Sequence, residues 1–291
     1  MKIALHGRKL NNDSFSYAKV FLDTLKGRQA DIFLSDTFYE LLKSGDIDIS
    51  FCRIYKSNQG VPKVDFVVSI GGDGTLLETV THVGNTEIPI LGINSGRLGF
   101  LATVSQDNIS EAIDAVYNGN FHYDYRTLIS LNAVPPIDNG LNFALNEFTA
   151  IKQDTSAMIV VHAYIDGMFL NSYWADGLII STPTGSTGYS LSCGGPVVSP
   201  HSSNFIITPV SPHNLTVRPL VVSENSIISL RVESRSENFL LSLDSRSYTM
   251  STSEKMEVRK SDFKVRLIKF NGSDFLNTLR QKLNWGLDVR N

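Results

Sequence analysis

Over roughly the first 120 residues, short apolar runs alternate with segments whose apolar side chains recur at helical spacing. The apolar runs at residues 2–6, 64–70 and 88–93 indicate buried strands, and helical spacing is found at 15–26, 35–43, 76–84 and 106–118. Alternating strands and helices are typical of a parallel sheet covered on both faces. We therefore predict a Rossmann-like α/β domain over residues 1–120.

After about residue 121 the pattern changes to many short apolar runs separated by turn residues. The predicted strands lie at 127–133, 143–152, 158–165, 177–181, 205–208, 226–232, 238–244, 255–260 and 265–270. Strands at this spacing predict an antiparallel β-sandwich, which we place at residues 121–274. Residues 275–283 return to helical spacing, so we expect the tail, 275–291, to form a helix that packs back on the first domain.

The most informative motif is Gly-Gly-Asp-Gly-Thr at residues 71–75, directly after the predicted strand 64–70. Glycines allow a tight turn and close approach of a ligand. The backbone N–H groups of such a turn and of the helix that follows form an anion site, which assigns phosphate binding to Gly71, Gly72 and Thr75. An acid is useful there if it accepts a proton from an attacking hydroxyl or shares a metal ion with the phosphate, so Asp73 is the candidate catalytic residue. The alternative is a solvated Asp-Gly turn.

A second glycine-rich stretch, residues 91–100, follows the predicted strand 88–93 and carries Arg97. An arginine there can grip a phosphate through two parallel hydrogen bonds. The alternative is an ordinary turn with a solvated arginine. Both glycine-rich stretches follow strands of the predicted parallel sheet, and ligands bind at the carboxyl ends of such strands.

Two further motifs lie in the predicted sandwich. Asn146 and Glu147 interrupt an apolar strand, and residues 182–196 form a loop of small hydroxyl residues and glycines with Tyr189 among them. A carboxylate that accepts ribose hydroxyls, beside an amide that binds a base edge, would recognise a nucleoside. The alternatives are a polar outer strand face for the pair and a linker for the loop.

Composition limits the remaining choices. The formal net charge of −3 gives no basic footprint for nucleic acid. Two widely separated cysteines favour a reducing compartment, and no apolar run approaches the length of a membrane span. We therefore expect a cytoplasmic protein without nucleic-acid or membrane partners. The six histidines have no metal-ligand spacing, so no side chain is assigned to a metal.

In their order along the chain, these motifs resemble those of the NAD kinases. The glycine turn alone is shared with phosphofructokinases and with diacylglycerol and sphingosine kinases. The Asn146-Glu147 pair and the block at 176–196 resemble NAD kinases and not these relatives. Residues 212–220 and 282–286 also resemble the NAD kinases.

The resemblance implies transfer of the γ-phosphoryl group of ATP, or of polyphosphate, to the adenosine 2′-hydroxyl of NAD. It also implies a divalent cation, taken as Mg²⁺, and a homodimer or homotetramer. Asp73 would be the general base, Asn146 and Glu147 would hold ribose and base, Asp176 would bind the nicotinamide end, and residues 187–192 would line the adenine side. By position, the expected dinucleotide contacts are Asp73, Gly74, Asn146, Glu147, Trp174, Asp176, Thr184, Thr187, Gly188, Tyr189, Ser190, Leu191, Ser192, Ser211 and Arg246.

Three positions depart from the family pattern. Trp174 stands where many members carry Arg or Lys, Gly188 where Ala is common, and Arg246 where an amide is frequent. The alternative functions are a lipid or sugar kinase with the same turn, and a non-catalytic dinucleotide sensor. The first needs an acyl channel or an Arg-rich site, and the second predicts loss of the acid at position 73.

Overall fold

The chain folds into two compact units. A computed structural model describes residues 1–8, 12–45, 47–96, 98–137, 140–153, 157–272 and 274–286. The first unit comprises residues 1–125 and 265–291, and the second comprises 126–264.

The first unit is an α/β domain. It begins with β1 (Lys2–Gly7), α1 (Asn12–Gly27), β2 (Asp31–Ser35), α2 (Asp36–Lys43), β3 (Arg53–Tyr55), β4 (Phe66–Ile70), α3 (Asp73–Val83), β5 (Ile90–Ile93) and α4 (Ile109–Tyr117). Its strands run parallel in the order β5-β4-β1-β2-β3. Every residue of β4 is buried, as its apolar run predicts.

The remaining strands form the second unit, except that the start of β6 and the end of β17 lie in the first. They are β6 (His122–Val134), β7 (Phe143–Ala144), β8 (Glu147–Lys152), β9 (Ile159–Ile165), β10 (Met168–Ala175), β11 (Gly177–Ser181), β12 (Asn204–Val210), β13 (Leu220–Ser223), β14 (Ile228–Glu233), β15 (Asn238–Leu243), β16 (Arg246–Ser251) and β17 (Lys255–Lys269). Two short helices complete the chain, α5 (Tyr189–Ser192) and α6 (Phe275–Leu283).

The strands of the second unit form two layers. One sheet has the order β13-β12-β11-β8-β15-β16, and the other has β10-β9-β14-β17, with β6 pairing β17 and β7. One hydrophobic cluster joins the layers, with Phe148 and Ile180 from the first sheet and Val161 and Leu230 from the second. The predicted sandwich is confirmed.

Two of the predicted elements have different bounds in the first unit. Helix α3 begins at Asp73 rather than at residue 76, so the acid of the glycine turn lies in the first helical turn. The runs predicted as strands 255–260 and 265–270 are one strand, β17, and its Leu267 pairs with Ile90 of β5. Residues 265–274, predicted in the sandwich, therefore lie in the first unit, as does α6.

Five strands were not predicted: β2, β3, β10, β13 and β16. Four of these are the edge strands of the sheets, with β2 beside β3. An edge strand is covered by fewer neighbours, so its residues need not follow a buried pattern. In β10, for example, Phe169 and Trp174 are both exposed. No helix within the described ranges is long and apolar enough to cross a membrane.

Candidate active site

The Gly-Gly-Asp-Gly turn follows β4 where this strand pairs with β5. Ile70 is in register with Ile93, and the N–H of Gly71 donates to the carbonyl of Ile93 at 2.9 Å. A Cβ at Gly71 would lie 2.7 Å from the Cβ of Thr75, so only glycine fits this turn. A Cβ at Gly72 or at Gly74 would meet nothing within 4 Å. The turn therefore has no space for a side chain at Gly71, whereas the backbone at Gly72 and Gly74 has open space beside it.

The Asp73 carboxylate accepts hydrogen bonds from three consecutive backbone N–H groups. Phe100 donates to Oδ2 at 2.9 Å, while Leu101 and Ala102 donate to Oδ1 at 3.0 and 3.2 Å. Lys282 of α6 adds a contact of 3.2 Å from Nζ to Oδ2. A carboxylate offers about four lone-pair sites, so these four donors fill it. Asp73 therefore anchors the second glycine-rich loop as well as belonging to the first.

The second glycine-rich loop approaches Asp73 because Gly99 has no side chain. A Cβ there would overlap the carboxylate and lie 2.7 Å from its Cγ. The loop begins with Asn94, whose Oδ1 accepts the N–H of Gly96 at 2.8 Å. The two predicted loops are therefore brought together at neighbouring strand ends. Arg97, the predicted phosphate ligand, lies outside the described residues.

In the second unit, the predicted pair Asn146-Glu147 lies at the start of β8. The backbone N–H groups of Leu145, Asn146 and Glu147 all donate to the carboxylate of Asp244, at 2.9, 2.7 and 3.2 Å. Asp244 has a φ of 54°, a conformation that aspartate tolerates better than most residues. It holds residues 145–147 much as Asp73 holds residues 100–102.

Two polar atoms of this pair have no hydrogen-bond partner. They are Asn146 Oδ1 and Glu147 Oε2, and both are buried. Burial, reinforced by the nearby charge of Asp244, raises the pKa of Glu147 to about 8, although the backbone N–H of Tyr189 lowers it. Buried polar atoms in native proteins nearly always have partners, so orphaned oxygens on two adjacent residues indicate a place for a ligand with hydrogen-bond donors.

The predicted loop 182–196 packs directly on this pair. Thr182 donates its N–H to the carbonyl of Asn146 at 2.9 Å. A Cβ at Gly185 would lie 2.7 Å from Cα of Asn146, and a Cβ at Gly188 would lie 3.1 Å from Glu147 Oε2. Glycine at position 188 therefore leaves room beside the unpartnered carboxylate oxygen.

Several hydroxyls of the loop are occupied within the protein. Thr184 Oγ1 accepts from Arg126 at 3.2 Å, and the buried Ser190 shares a 2.8 Å hydrogen bond with Thr208. Thr187 Oγ1 contacts the Thr184 carbonyl at 3.4 Å. Thr184 and Ser190 thus hold the loop in shape. The ring of Tyr189 is exposed, Leu191 is half-buried and Ser192 is exposed.

Asp176 lies at the other end of β11 from this pair. Ser181 is in register with Glu147, whereas Gly177 is in register with Ile151. Glu147 and Lys152 are five residues apart on β8, which is about 17 Å at the rise of a strand. The carboxylate of Asp176 accepts from Lys152 Nζ at 2.6 Å. In the second unit, Asn146, Glu147 and the loop thus form one cluster of predicted dinucleotide contacts, and Asp176 belongs to another.

The last three predicted contacts lie in different surroundings. Trp174 is exposed on the edge strand β10. Ser211 is exposed and directly follows Val210, which pairs with Gly177, so it is close to Asp176. Arg246 donates to the backbone carbonyls of Leu141 and Phe143. The guanidinium of Arg246 is thus engaged in holding the segment before β8.

Four residues of these clusters were missed by the sequence analysis: Arg126, Lys152, Asp244 and Lys282. Each forms a hydrogen bond or ion pair with a residue distant in the chain. No short sequence motif identifies that distant residue as its partner. The only signal is for Lys282, which opens the closing stretch 282–286 that resembles the family pattern.

Comparison with known proteins gives a consistent result. The family model described as the ATP-NAD kinase N-terminal domain matches residues 48–121, and the model for the C-terminal domain matches 145–270. The chain belongs to the NAD kinase family. An NAD kinase from Cytophaga hutchinsonii is 49% identical over 292 residues, and one from Flavobacterium johnsoniae is 42% identical over 294, each covering 100% of both chains.

Solved structures agree with the fold. Yeast NADH kinase complexed with NADH superposes with a TM-score of 0.89 at 22% identity, covering 99% of this chain and 89% of that one. An NAD kinase from Archaeoglobus fulgidus in complex with ATP gives 0.75 at 26% identity, covering 98% and 99%. The predicted family, fold class and enzyme class are confirmed.

We expect Gly99→Ala to destabilise the protein by about 1–3 kcal/mol, because the new methyl group must displace the Asp73 carboxylate from its backbone donors. Gly96→Ala in the same loop is the matched control, since a Cβ there meets nothing within 4 Å. Urea unfolding measures both. Equal stabilities of the two variants would contradict the tight contact.

Stability is also expected to depend on Glu147 ionisation. Its pKa is about 8 in the folded protein and about 4.5 when unfolded, so the folded state binds the proton more tightly. The free energy of unfolding should therefore fall as pH rises from about 4.5 to about 8, by at most about 1.4 kcal/mol per pH unit from this group. Glu147→Gln should remove this fall in the free energy of unfolding. Glu257→Gln, at an exposed position, should retain it. Urea unfolding between pH 5 and pH 8 gives the comparison, and parallel pH profiles for wild type and Glu147→Gln would contradict it.

Proposed function

We propose that this chain transfers the γ-phosphoryl group of ATP to the adenosine 2′-hydroxyl of NAD, giving NADP. The observation that carries the proposal is the pair of unpartnered buried oxygens on Asn146 and Glu147, in a chain of the NAD kinase family. The Archaeoglobus relative that is 26% identical was crystallised in complex with ATP, which supports ATP as the donor.

The dinucleotide, in this proposal, spans the two clusters of the second unit. Ribose hydroxyls donate to Glu147, the amide of Asn146 binds the base, and the exposed ring of Tyr189 stacks on it beside Thr187, Gly188, Leu191 and Ser192. Thr184 and Ser190 keep this loop in place. Asp176, together with Trp174 and Ser211, binds the nicotinamide end. The separation of about 17 Å between the clusters suits an elongated ligand with two nucleoside ends.

The phosphate groups of ATP bind at the glycine turn. The N–H groups of Gly71 and Thr75 donate to the carbonyls of Ile93 and Gly72. The backbone is open at Gly72 and Gly74, and α3 begins between them at Asp73, so the N–H groups at this helix start attract phosphate oxygens. The Asp73 carboxylate already accepts four hydrogen-bond donors, so it has few lone pairs left to coordinate a cation. Mg²⁺ takes its oxygen ligands largely from substrate phosphates and water. Mg²⁺ bound to ATP would neutralise charge on the transferred group.

Asp73 is the general base of the proposed reaction. The ribose oxygen attacks the γ-phosphorus, the bond to the bridging oxygen of ADP breaks, and the hydroxyl proton passes to the Asp73 carboxylate. Three backbone N–H groups orient this carboxylate. The fourth donor, Lys282, is on a partly exposed side chain, so it is the one that yields Oδ2 to the substrate.

The chain is further proposed to form a homodimer or homotetramer. The edge strand β10 exposes Met168, Phe169 and Trp174, and such a strand favours pairing with a second protein surface.

The direct experiment incubates the protein with ATP, Mg²⁺ and NAD and measures NADP. NAD analogues that lack either the adenosine 2′-hydroxyl or the nicotinamide-ribose 2′-hydroxyl locate the acceptor. We expect NADP from NAD, product from the second analogue and none from the first. Phosphorylation of a lipid or sugar without NADP, or binding of NAD without turnover, would overturn the proposal.

Asp73→Asn should lower turnover by about 10²–10⁴-fold, because the amide accepts no proton. Its nitrogen also faces backbone donors, so NAD binding and thermal unfolding must be measured alongside. Asp107→Asn, at an exposed position of the same unit, is the control. A folded Asp73→Asn enzyme with turnover near wild type would remove Asp73 from this role.

A further inference from the structure

A cluster of two histidines and a glutamate lies in the first unit, outside the proposed site. His6 comes from β1, and Glu78 and His82 come from α3. Residues four apart on a helix share a face, so Glu78 and His82 point the same way. One candidate ligand atom from each of the three residues lies within 4.8 Å of the other two.

The geometry is close to that of a metal site. Bonds of about 2.0–2.1 Å at tetrahedral angles place neighbouring ligand atoms about 3.3–3.4 Å apart. His6 Nε2 is 3.7 Å from Glu78 Oε1. The rings of His6 and His82 are 4.4 Å apart between centroids, edge to face. Side-chain shifts of less than 1 Å bring the His6 and Glu78 atoms to ligating distance.

One ring nitrogen of each histidine, Nδ1, contacts a hydroxyl group. Nδ1 of His6 is 2.9 Å from Ser35 Oγ, and Nδ1 of His82 is 3.4 Å from the hydroxyl of Tyr55. Metal-binding histidines in proteins have this arrangement, in which one ring nitrogen is fixed by a hydrogen bond and the other faces the metal.

The atom that indicates a missing partner is His6 Nε2. The side chain of His6 is 1% exposed, yet Nε2 has no hydrogen-bond partner. Glu78 has its Oε2 on Arg8 at 3.2 Å, so Oε1 is the oxygen that faces His6.

We propose that His6, Glu78 and His82 bind a divalent transition-metal ion, with Zn²⁺ the best fit. Two imidazoles and one carboxylate suit Zn²⁺, whereas Mg²⁺ prefers an all-oxygen set. The Glu78 side chain is 30% exposed, which leaves water a path to a fourth coordination position.

The metal would join β1 to α3, the helix that begins at Asp73. Glu78 and His82 lie five and nine residues beyond Asp73, which is about 7.5 and 13.5 Å along the helix. At that distance the ion does not contact the transferred phosphoryl group. The ion would therefore be a structural cross-link between β1 and α3. It would be distinct from the Mg²⁺ bound to ATP.

The test is Zn²⁺ binding to the full-length protein after dialysis against a chelator, measured by isothermal titration calorimetry and by thermal unfolding. We expect one tight equivalent, a melting temperature that rises with Zn²⁺, and no such response to Mg²⁺. Co²⁺ should give the visible absorption of a site with nitrogen and oxygen ligands.

Two variants remove ligands with little change in shape. His6→Asn keeps a polar atom near Ser35 and removes Nε2. Glu78→Gln neutralises a side chain that is 30% exposed and keeps its size. Each should weaken Zn²⁺ binding at least tenfold and up to about 100-fold or more, since even outer hydrogen-bond partners of metal ligands contribute 10–100-fold.

The matched control is His162→Asn in the second unit. His162 also pairs with a glutamate, Glu233 at 3.1 Å, and with a serine, Ser172 at 2.8 Å. The His162→Asn variant should bind Zn²⁺ with the same affinity as wild type. The proposal fails if wild type binds no stoichiometric Zn²⁺, if folded Glu78→Gln binds it unchanged, or if His162→Asn loses it.

Discussion

The interaction on which both parts of the candidate site depend is an aspartate that accepts three consecutive backbone N–H groups. Asp73 does this for residues 100–102, and Asp244 does it for residues 145–147. Loops without regular secondary structure leave their N–H groups unpaired, and each one that is buried without an acceptor costs about 1–3 kcal/mol. One carboxylate satisfies three of them and fixes the direction of the chain.

The glycines follow from this arrangement. Gly99 is required because the Asp73 carboxylate occupies the place of its side chain, and Gly185 because the backbone of Asn146 does. Gly72 and Gly74 differ, since their surroundings are open. Some glycines of these motifs are therefore required by internal packing and others are not, and only the structure separates the two groups.

Much of the fold was predictable because its central strands are buried on both faces. The run at β4 is apolar throughout, and the glycines that follow mark its end. The edge strands β3, β10, β13 and β16 escaped prediction because exposure removes the pressure for an apolar pattern. Helix α3 was predicted to start too late, since Gly72, Asp73 and Gly74 suggest a turn although Asp73 is already helical.

The sequence by itself determined the α/β and sandwich classes, the glycine turn, the Asn146-Glu147 pair and the family, because these depend on local periodicity and short motifs. Only the tertiary structure decided what those residues touch. Asp244 and Lys282 reach their partners across 97 or more positions of the chain, and His6 meets Glu78 across 72. No local pattern encodes such contacts, since they arise when strand pairing and helix packing bring distant side chains together.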